Sequence, residues 1–146
     1  MRAPGDGGQV RSMRAARQHS GLRPEESPYL ECHATGTPVG DGTEIESIAE
    51  AYATGSTGKV IGSVKGNLGH LITAAGAAGV IKVIEAMREG VMPASPHLNA
   101  APLNPALTIA RCEVLKESRA WSGPKRSGVS ALGFGGNDAH VIVGDV

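Results

Sequence analysis

The hydrophobic and polar positions of this chain alternate between strand-like and helix-like patterns. Short apolar runs predict strands at Tyr29–Cys32 and Lys59–Val64, and each run leads into a loop. Apolar residues at helical spacing predict helices over Gln9–His19, from Asp41 or Thr43 to about Ala53, and from Leu71 to about Arg88. Strands that alternate with helices predict an α/β fold with a mixed sheet and flanking helices.

The last third of the chain is richer in strand signals. Four prolines between Met92 and Pro105 predict an extended connector. Strands are predicted at Cys112–Leu115 and Arg126–Leu132, and Ala139–Val143 is expected to pair antiparallel with the strand before Gly133.

Glycine and proline also predict where helices are absent. The segment from Met1 to Gly8 is predicted to be a loop. Pro38 and Gly40 are expected to keep the segment after His33 from forming a helix, and Asp41 is expected to cap the helix that follows.

The helix predicted from Leu71 is rich in alanine and glycine, with larger apolar residues such as Val80, Ile81 and Ile84 further along. This composition is typical of a buried helix. If part of the fold lies elsewhere, its small-residue face lacks a partner, and we expect the isolated chain to aggregate, dimerise or require that part.

Composition excludes several classes of protein. At 146 residues the chain fits one domain, 1–146, and its 14 basic and 14 acidic residues produce no field that would attract nucleic acid or an anionic membrane. No apolar run approaches the roughly 20 residues of a membrane span, so we expect a cytoplasmic protein. Cys32 and Cys112 are far apart and outside any Cys-x-x-Cys frame, which argues against a disulfide scaffold and a zinc site.

Two histidines lie in frames rich in glycine and hydroxyl groups, His33 before Ala34-Thr35-Gly36-Thr37 and His70 after Lys65-Gly66-Asn67-Leu68-Gly69. Neutral imidazoles at such junctions can donate hydrogen bonds to a thioester oxygen. A glycine-rich loop, Gly133 to Gly136, lies near the C-terminus. Neither cysteine has the glycine or cationic surroundings of a nucleophile, so both are interpreted as small core residues.

These three segments together resemble the C-terminal half of β-ketoacyl synthases, the condensing enzymes of fatty-acid and polyketide assembly. The family motif E-A-H-G-T-G-T-x-x-G-D-x-x-E corresponds to Glu31 through Glu44, and K-x-x-x-G-H-x-x-x-A-A-G corresponds to Lys65 through Gly76. The resemblance implies the C-terminal half of a thiolase-like layered αβαβα fold. Within the family, the resemblance points to a type I polyketide or polyunsaturated-fatty-acid synthase.

The resemblance also implies roles for individual residues. His33 and His70 would be the catalytic histidines, and Lys65 with Glu44 would organise them by charge and hydrogen bonding. The alternative for Lys65 and Glu44 is a plain structural ion pair. The remaining implied roles are a backbone oxyanion donor at Phe134, pantetheine contacts from Thr35 and Thr37, and a gating loop at Gly133, Gly135 and Gly136.

The threonines have a geometric argument of their own. They lie two and four residues beyond His33, so an extended backbone would place both hydroxyls on one face.

The family's nucleophilic cysteine, in a D-T-A-C-S-S segment, has no counterpart in this sequence. We therefore expect a fragment or a chain whose start lies upstream, with the missing N-terminal half as a partner. The resemblance implies an acyl carrier protein that delivers phosphopantetheine, no directly bound cofactor, and a homodimer of the full domain.

Other functions fit the sequence less well. A phosphate-binding loop at Gly55–Lys59 fails, because Ala53 and Val60 occupy positions that require glycine and a hydroxyl residue. A metal site built from Cys32, His33, His70 and His140 lacks a recognised ligand spacing. The open alternative is a non-catalytic half-domain that binds a carrier protein or a synthase partner.

Overall fold

The computed structural model describes residues 6–52, 58–98, 102–133 and 135–144. Among these residues, five strands form a mixed sheet in the order β4-β2-β1-β6-β7. The strands are β1 (Tyr29–Glu31), β2 (Lys59–Gly62), β4 (Cys112–Glu113), β6 (Arg126–Leu132) and β7 (Asp138–Gly144). A separate antiparallel pair is formed by β3 (Val91–Met92) and β5 (Arg119–Ala120).

The sheet confirms the predicted α/β class. Strand β1 is central and runs parallel to both β2 and β6, while β6 and β7 pair antiparallel over their full length, as predicted. All three residues of β1 are buried, as expected of a strand covered by helices on both faces.

Helices cover the two faces of the sheet. Helices α1 (Asp6–Ser20), α2 (Pro38–Ala51) and α5 (Ala106–Ile109) pack on one face, with Met13, Leu30 and Ile48 in their core. Helix α4 (Ala75–Glu89) packs on the other face, where its Val83 meets Tyr29 and Val129. Because neighbouring residues of a strand face opposite ways, β1 contributes Leu30 to the first core and Tyr29 to the second.

Two helix starts differ from the prediction. Helix α1 begins at Asp6 instead of Gln9, and it approaches β7 so closely that a side chain at Gly8 would overlap the Asp138 carboxylate. Helix α2 begins at Pro38, since proline is well tolerated in the first turn of a helix, where its missing N–H has no partner to lose. Asp41 therefore lies inside α2 instead of capping it.

The segment around His70 is also more divided than predicted. Lys65–Leu68 forms a short helix, α3, and a 3-10 turn at Ile72–Ala74 precedes α4, so the predicted helix from Leu71 begins late. Helix α4 ends at Gly90, which adopts the left-handed conformation with φ 68°. Only one side of α4 is buried: Ile81 and Ile84 are 62% and 40% exposed.

Among the described residues, no helix is both long and apolar enough to cross a membrane.

Candidate active site

His33 follows the end of β1 in the middle of the sheet. The ladder continues one residue past the strand, where the N–H of Cys32 donates to the carbonyl of Gly62 on β2 at 2.7 Å. Cys32 packs into the core beneath α1 and α2. His33, the next residue, therefore turns toward the face that carries α4.

The Glu44 carboxylate holds the backbone at His33. Glu44 lies on α2 and is 2% exposed. Its two oxygens accept hydrogen bonds from the N–H groups of His33 and Ala34, each at 2.8 Å. Burial raises the pKa of Glu44 to about 7, although these two N–H groups and the charge of Lys65 act in the opposite direction. Glu44, which was expected to organise the histidines by charge and hydrogen bonding, thus holds the backbone of the histidine loop.

His70 lies at the junction between α3 and the turn that leads into α4. Its Nδ1 accepts a hydrogen bond from the N–H of Ile72 at 3.0 Å. Ile72 itself adopts φ 51°, a conformation that β-branched residues rarely take. An Nδ1 that accepts carries no proton, so a neutral His70 ring has its N–H at Nε2.

The rings of His33 and His70 lie together. Their centroids are 5.2 Å apart and the rings meet edge to face at 80°. Burial, the Lys65 charge and His70 lower the pKa of His33 to about 4, so this ring is neutral at pH 7. Its Nδ1 is buried and has no hydrogen-bond partner among the described residues. Two imidazole rings at this separation can each donate an N–H group to one oxygen atom that gains negative charge.

Lys65 is the first residue of α3 and is half-buried. Burial lowers its pKa, while the carboxylates of Glu44 and Glu31 raise it. The predicted hydrogen bond between Lys65 and Glu44 is not observed in the described part of the chain, where the two Glu44 oxygens accept from backbone N–H groups. Lys65 and Glu44 influence each other through space.

The loop after His33 differs from the extended geometry expected for Thr35 and Thr37. Gly36 between them adopts φ 83°, so the backbone turns there, and both threonines are exposed. Asp41 stabilises this turn by accepting a hydrogen bond from the N–H of Gly36 at 3.2 Å. The argument that both hydroxyls share a face of an extended strand is therefore wrong.

The glycine-rich loop connects β6 to β7. Gly135 and Gly136 have φ of 80° and 84°, and the N–H of Gly133 donates to the carbonyl of Asn137 at 3.0 Å. This is the positive-φ geometry that favours glycine. Phe134, the expected oxyanion donor, lies outside the described residues.

Other candidate groups have structural surroundings. Cys32 and Cys112 are both buried free thiols, as predicted for core residues, and burial raises the pKa of each. His140 is buried between the hydroxyls of Tyr52 at 2.6 Å and Ser130 at 2.9 Å.

The structure also bears on the two kinds of site that the sequence did not favour, a phosphate-binding loop and a metal site. Lys59, the lysine of the rejected phosphate-loop match, is 1% exposed and donates to the carbonyl of Pro24. No cluster of three or more potential metal ligands occurs among the described residues.

A cavity of about 650 Å³ adjoins the site on the side of α2 and the proline-rich connector. Thr35, Glu44 and Lys65 are among its lining residues, together with Leu98 and Leu103. The two histidine rings do not line this cavity, and His70 is exposed. Within the described residues, His33 is thus half-buried and His70 lies at the surface.

One ion pair beside the site was missed from the sequence. Glu31 on β1 and Lys82 on α4 approach to 2.7 Å, and the carboxylate is 1% exposed. The available signal was a single charge in each of two apolar stretches, Tyr29–Cys32 and Val80–Ile84. A buried charge requires a partner, and such pairs often lie near functional sites.

Comparison with known proteins identifies relatives across nearly the whole chain. It is 38% identical over 97% of its length to a phenolphthiocerol/phthiocerol polyketide synthase of Mycobacterium tuberculosis, of which it spans 8%. It is 40% identical over 97% of its length to the spectinabilin polyketide synthase system protein NorA of Streptomyces orinoci, again spanning 8%.

The fold has solved counterparts as well. The oxazolomycin ketosynthase domain OzmH KS7 of Streptomyces albus superposes with a TM-score of 0.88 at 32% identity, covering 99% of this chain and 27% of that one. The described sheet and helices are accordingly the C-terminal half of a thiolase-like α/β fold. Residues 1–99 match the family described as the C-terminal domain of β-ketoacyl synthase, and the chain belongs to that family.

Proposed function

We propose that this chain supplies the two-histidine part of a ketosynthase condensation site in a polyketide synthase. The observation that supports it best is the edge-to-face pair of His33 and His70, with centroids 5.2 Å apart. The two relatives named above are polyketide synthases, and the chain spans 8% of the length of each.

The proposed reaction joins two thioesters. An acyl group is held as a thioester on a cysteine, in the portion of a ketosynthase domain that this chain does not span. A malonyl-type extender on the phosphopantetheine of an acyl carrier protein loses carbon dioxide, and the electrons of the broken C–C bond form an enolate. The enolate carbon attacks the acyl carbonyl, and collapse of the tetrahedral intermediate expels the cysteine thiolate.

The histidines act at the enolate oxygen. His33 and His70 donate N–H groups to that oxygen as negative charge develops, an effect worth about 3 kcal/mol for each well-placed donor. A pKa of about 4 keeps His33 neutral at pH 7, and a neutral imidazole still carries one N–H that can donate a hydrogen bond. Lys65 adds positive potential from the turn before His70.

The remaining roles belong to the substrate arm and the acyl group. Thr35 and Thr37, exposed beyond His33, would contact the pantetheine arm. The N–H of Phe134 would be the second oxyanion donor for the acyl-cysteine carbonyl, and Gly133, Gly135 and Gly136 would allow its loop to move. In this proposal residues 1–146 act as one unit that completes a homodimeric ketosynthase domain.

A chimera tests the proposal. Residues 1–146 replace the corresponding segment of the oxazolomycin ketosynthase domain, which has the same fold over 99% of this chain. Carbon dioxide release from malonyl carrier protein is then measured for the unchanged segment and for His33→Ala and His70→Ala. His19→Ala, an exposed histidine on α1, is the matched control.

Each site variant is expected to lower the decarboxylation rate by about 10²–10³-fold, whereas the His19→Ala control keeps the full rate. Full activity in either site variant would contradict the proposal. Carrier-protein binding without turnover in the unchanged chimera would instead support the non-catalytic half-domain, which the match to ketosynthase relatives does not favour.

A further inference from the structure

The buried carboxylate of Glu31 lies two residues before His33. Glu31 ends β1, at the centre of the sheet, and is 1% exposed. A carboxylate removed from water is costly unless both of its oxygens find partners.

Both oxygens of Glu31 are used. Oε1 accepts a hydrogen bond from the N–H of Val64, in the turn that follows β2. Oε2 accepts from Lys82 Nζ at 2.7 Å and from the Tyr29 hydroxyl at 3.0 Å. Lys82 also donates to the Tyr29 hydroxyl at 2.9 Å, which closes a three-membered network.

Two glycines leave room for this network. A side chain at Gly62 on β2 would overlap the Tyr29 hydroxyl, and a Cβ at Gly79 on α4 would lie 3.2 Å from Glu31 Cγ. The network therefore fills the space between β1, β2 and α4 closely, and its members have little freedom to shift.

The three elements joined by Glu31 are those that carry the histidine pair. His33 follows β1 directly. Val64 begins the turn that leads through Lys65 to His70, and Lys82 lies on the helix that follows His70. One side chain is thus bonded to the segment on each side of the 5.2 Å ring contact.

Two buried carboxylates bond to the backbone on either side of the histidine pair. Glu44, from α2 on one face of the sheet, binds the N–H groups of His33 and Ala34. Glu31 binds the opposite segment from the other face. The first fixes the His33 loop, and the second fixes the distance from that loop to the His70 turn.

We propose that Glu31, held by Lys82 and Tyr29, is a positioning residue that sets the separation of the His33 and His70 rings through its hydrogen bond to the Val64 N–H. This rests on the proposed function for its catalytic consequence. The geometric consequence belongs to the chain itself.

Three variants, made in the chimera, distinguish the effect of side-chain length at position 31 from the effect of the charges of Glu31 and Lys82. Glu31→Gln/Lys82→Met removes both charges but keeps an oxygen that accepts from Val64. Glu31→Asp keeps the charge and shortens the side chain by one methylene. Glu31→Leu/Lys82→Met removes the acceptor and leaves no unpaired charge. The control is Glu113→Leu/Arg119→Met, which removes an exposed ion pair.

The expected order follows acceptor reach. Glu31→Gln/Lys82→Met keeps kcat within about threefold, Glu31→Asp lowers it about tenfold, and Glu31→Leu/Lys82→Met lowers it up to about 10²-fold, since displacing a reacting group by about 1 Å costs that much. KM for malonyl carrier protein stays unchanged in all three. The reverse order of the first two variants, or unchanged kcat in the third, overturns the proposal.

A second measurement does not depend on turnover. The nuclear Overhauser contact between the ring protons of His33 and His70 is recorded in the 146-residue chain. It is expected to persist with Glu31→Gln/Lys82→Met and to weaken with Glu31→Asp; persistence at full strength in Glu31→Asp overturns the proposal even if Glu31→Leu/Lys82→Met does not fold. An inactive unchanged chimera whose ring contact still responds to Glu31→Asp contradicts the proposed function and leaves the positioning role in place.

Discussion

Burial shifts the pKa of two side chains that are far apart in the sequence, Glu44 and His140. Glu44 is drawn toward the protonated form, with a pKa of about 7, and His140 toward the neutral form, with a pKa of about 4. In both cases the largest cause is the loss of water around the charged form. Both residues were named from the sequence, but the burial that shifts their pKa values depends on the fold.

The His140 shift predicts a pH dependence of stability. Because folded His140 has a pKa of about 4 and an unfolded histidine about 6.5, the unfolded state binds the proton first as pH falls. The stability that neutral His140 contributes is therefore fully present above pH 6.5 and is lost as pH falls from 6.5 to 4. Urea unfolding at each pH is compared with His140→Asn, and the difference between the two proteins should shrink by about 3 kcal/mol from pH 7 to pH 4. If the two proteins differ by the same free energy of unfolding at every pH, the prediction is wrong.

Gly128 packs against the same histidine, so a substitution there is expected to lower stability. A side chain at Gly128 on β6 would overlap both His140 Nε2 and the Tyr52 hydroxyl. Gly128→Ala is expected to lower the free energy of unfolding by about 3 kcal/mol, from overpacking and a broken buried hydrogen bond. Thermal unfolding measures it, with Gly7→Ala on the exposed side of α1 as the control that should be neutral or slightly stabilising.

At the scale of elements, close packing of α4 against the sheet depends on a glycine. A Cβ at Gly79 would lie 3.2 Å from both Glu31 Cγ and Val129 Cγ1. Helix propensity alone predicts that Gly79→Ala gains about 1 kcal/mol, because alanine is the better helix former. The tight contact predicts the opposite sign.

We therefore expect Gly79→Ala to destabilise the chain by about 1–2 kcal/mol, as α4 is displaced from the sheet. Denaturant unfolding decides the sign. The control is Ala77→Ser on the exposed side of the same helix, which should change stability by less than about 0.7 kcal/mol. A more stable Gly79→Ala variant would show that the helix is free to shift.

At the scale of the whole molecule, the outer side of α4 and the segment before it are apolar. The exposed residues are Leu68, Leu71, Ile72, Ile81 and Ile84. The chain spans 27% of a ketosynthase domain with the same fold. Contiguous apolar surface of this kind marks an interface.

This surface predicts the behaviour of the 146-residue chain alone. Sedimentation velocity is expected to show self-association that increases with concentration, and Ile81→Gln/Ile84→Gln should reduce it. Ile109→Gln is the control, because Ile109 is 83% exposed but lies with α5 on the opposite face of the sheet. Equal self-association in the Ile81→Gln/Ile84→Gln variant and the unchanged chain would show that this face is not responsible.

Much of this protein follows from its sequence because the relevant signals are local. Apolar runs and helical spacing located β1, β2, β6, β7 and most of α1, α2 and α4, and the motifs placed His33 and His70 on loops next to them. The start of α1 was missed because the glycines of its first turn predict a loop, and the start of α2 because proline begins that helix instead of preventing it.

What the tertiary structure decided are the contacts between segments distant along the chain. The 5.2 Å approach of the two histidine rings, the anchoring of His33 by Glu44 and the pairing of Glu31 with Lys82 join residues 11 to 51 positions apart. Local residue patterns record propensity and periodicity. They do not record which buried charge meets which partner, because that depends on how the strands pair and on which face of the sheet each helix packs.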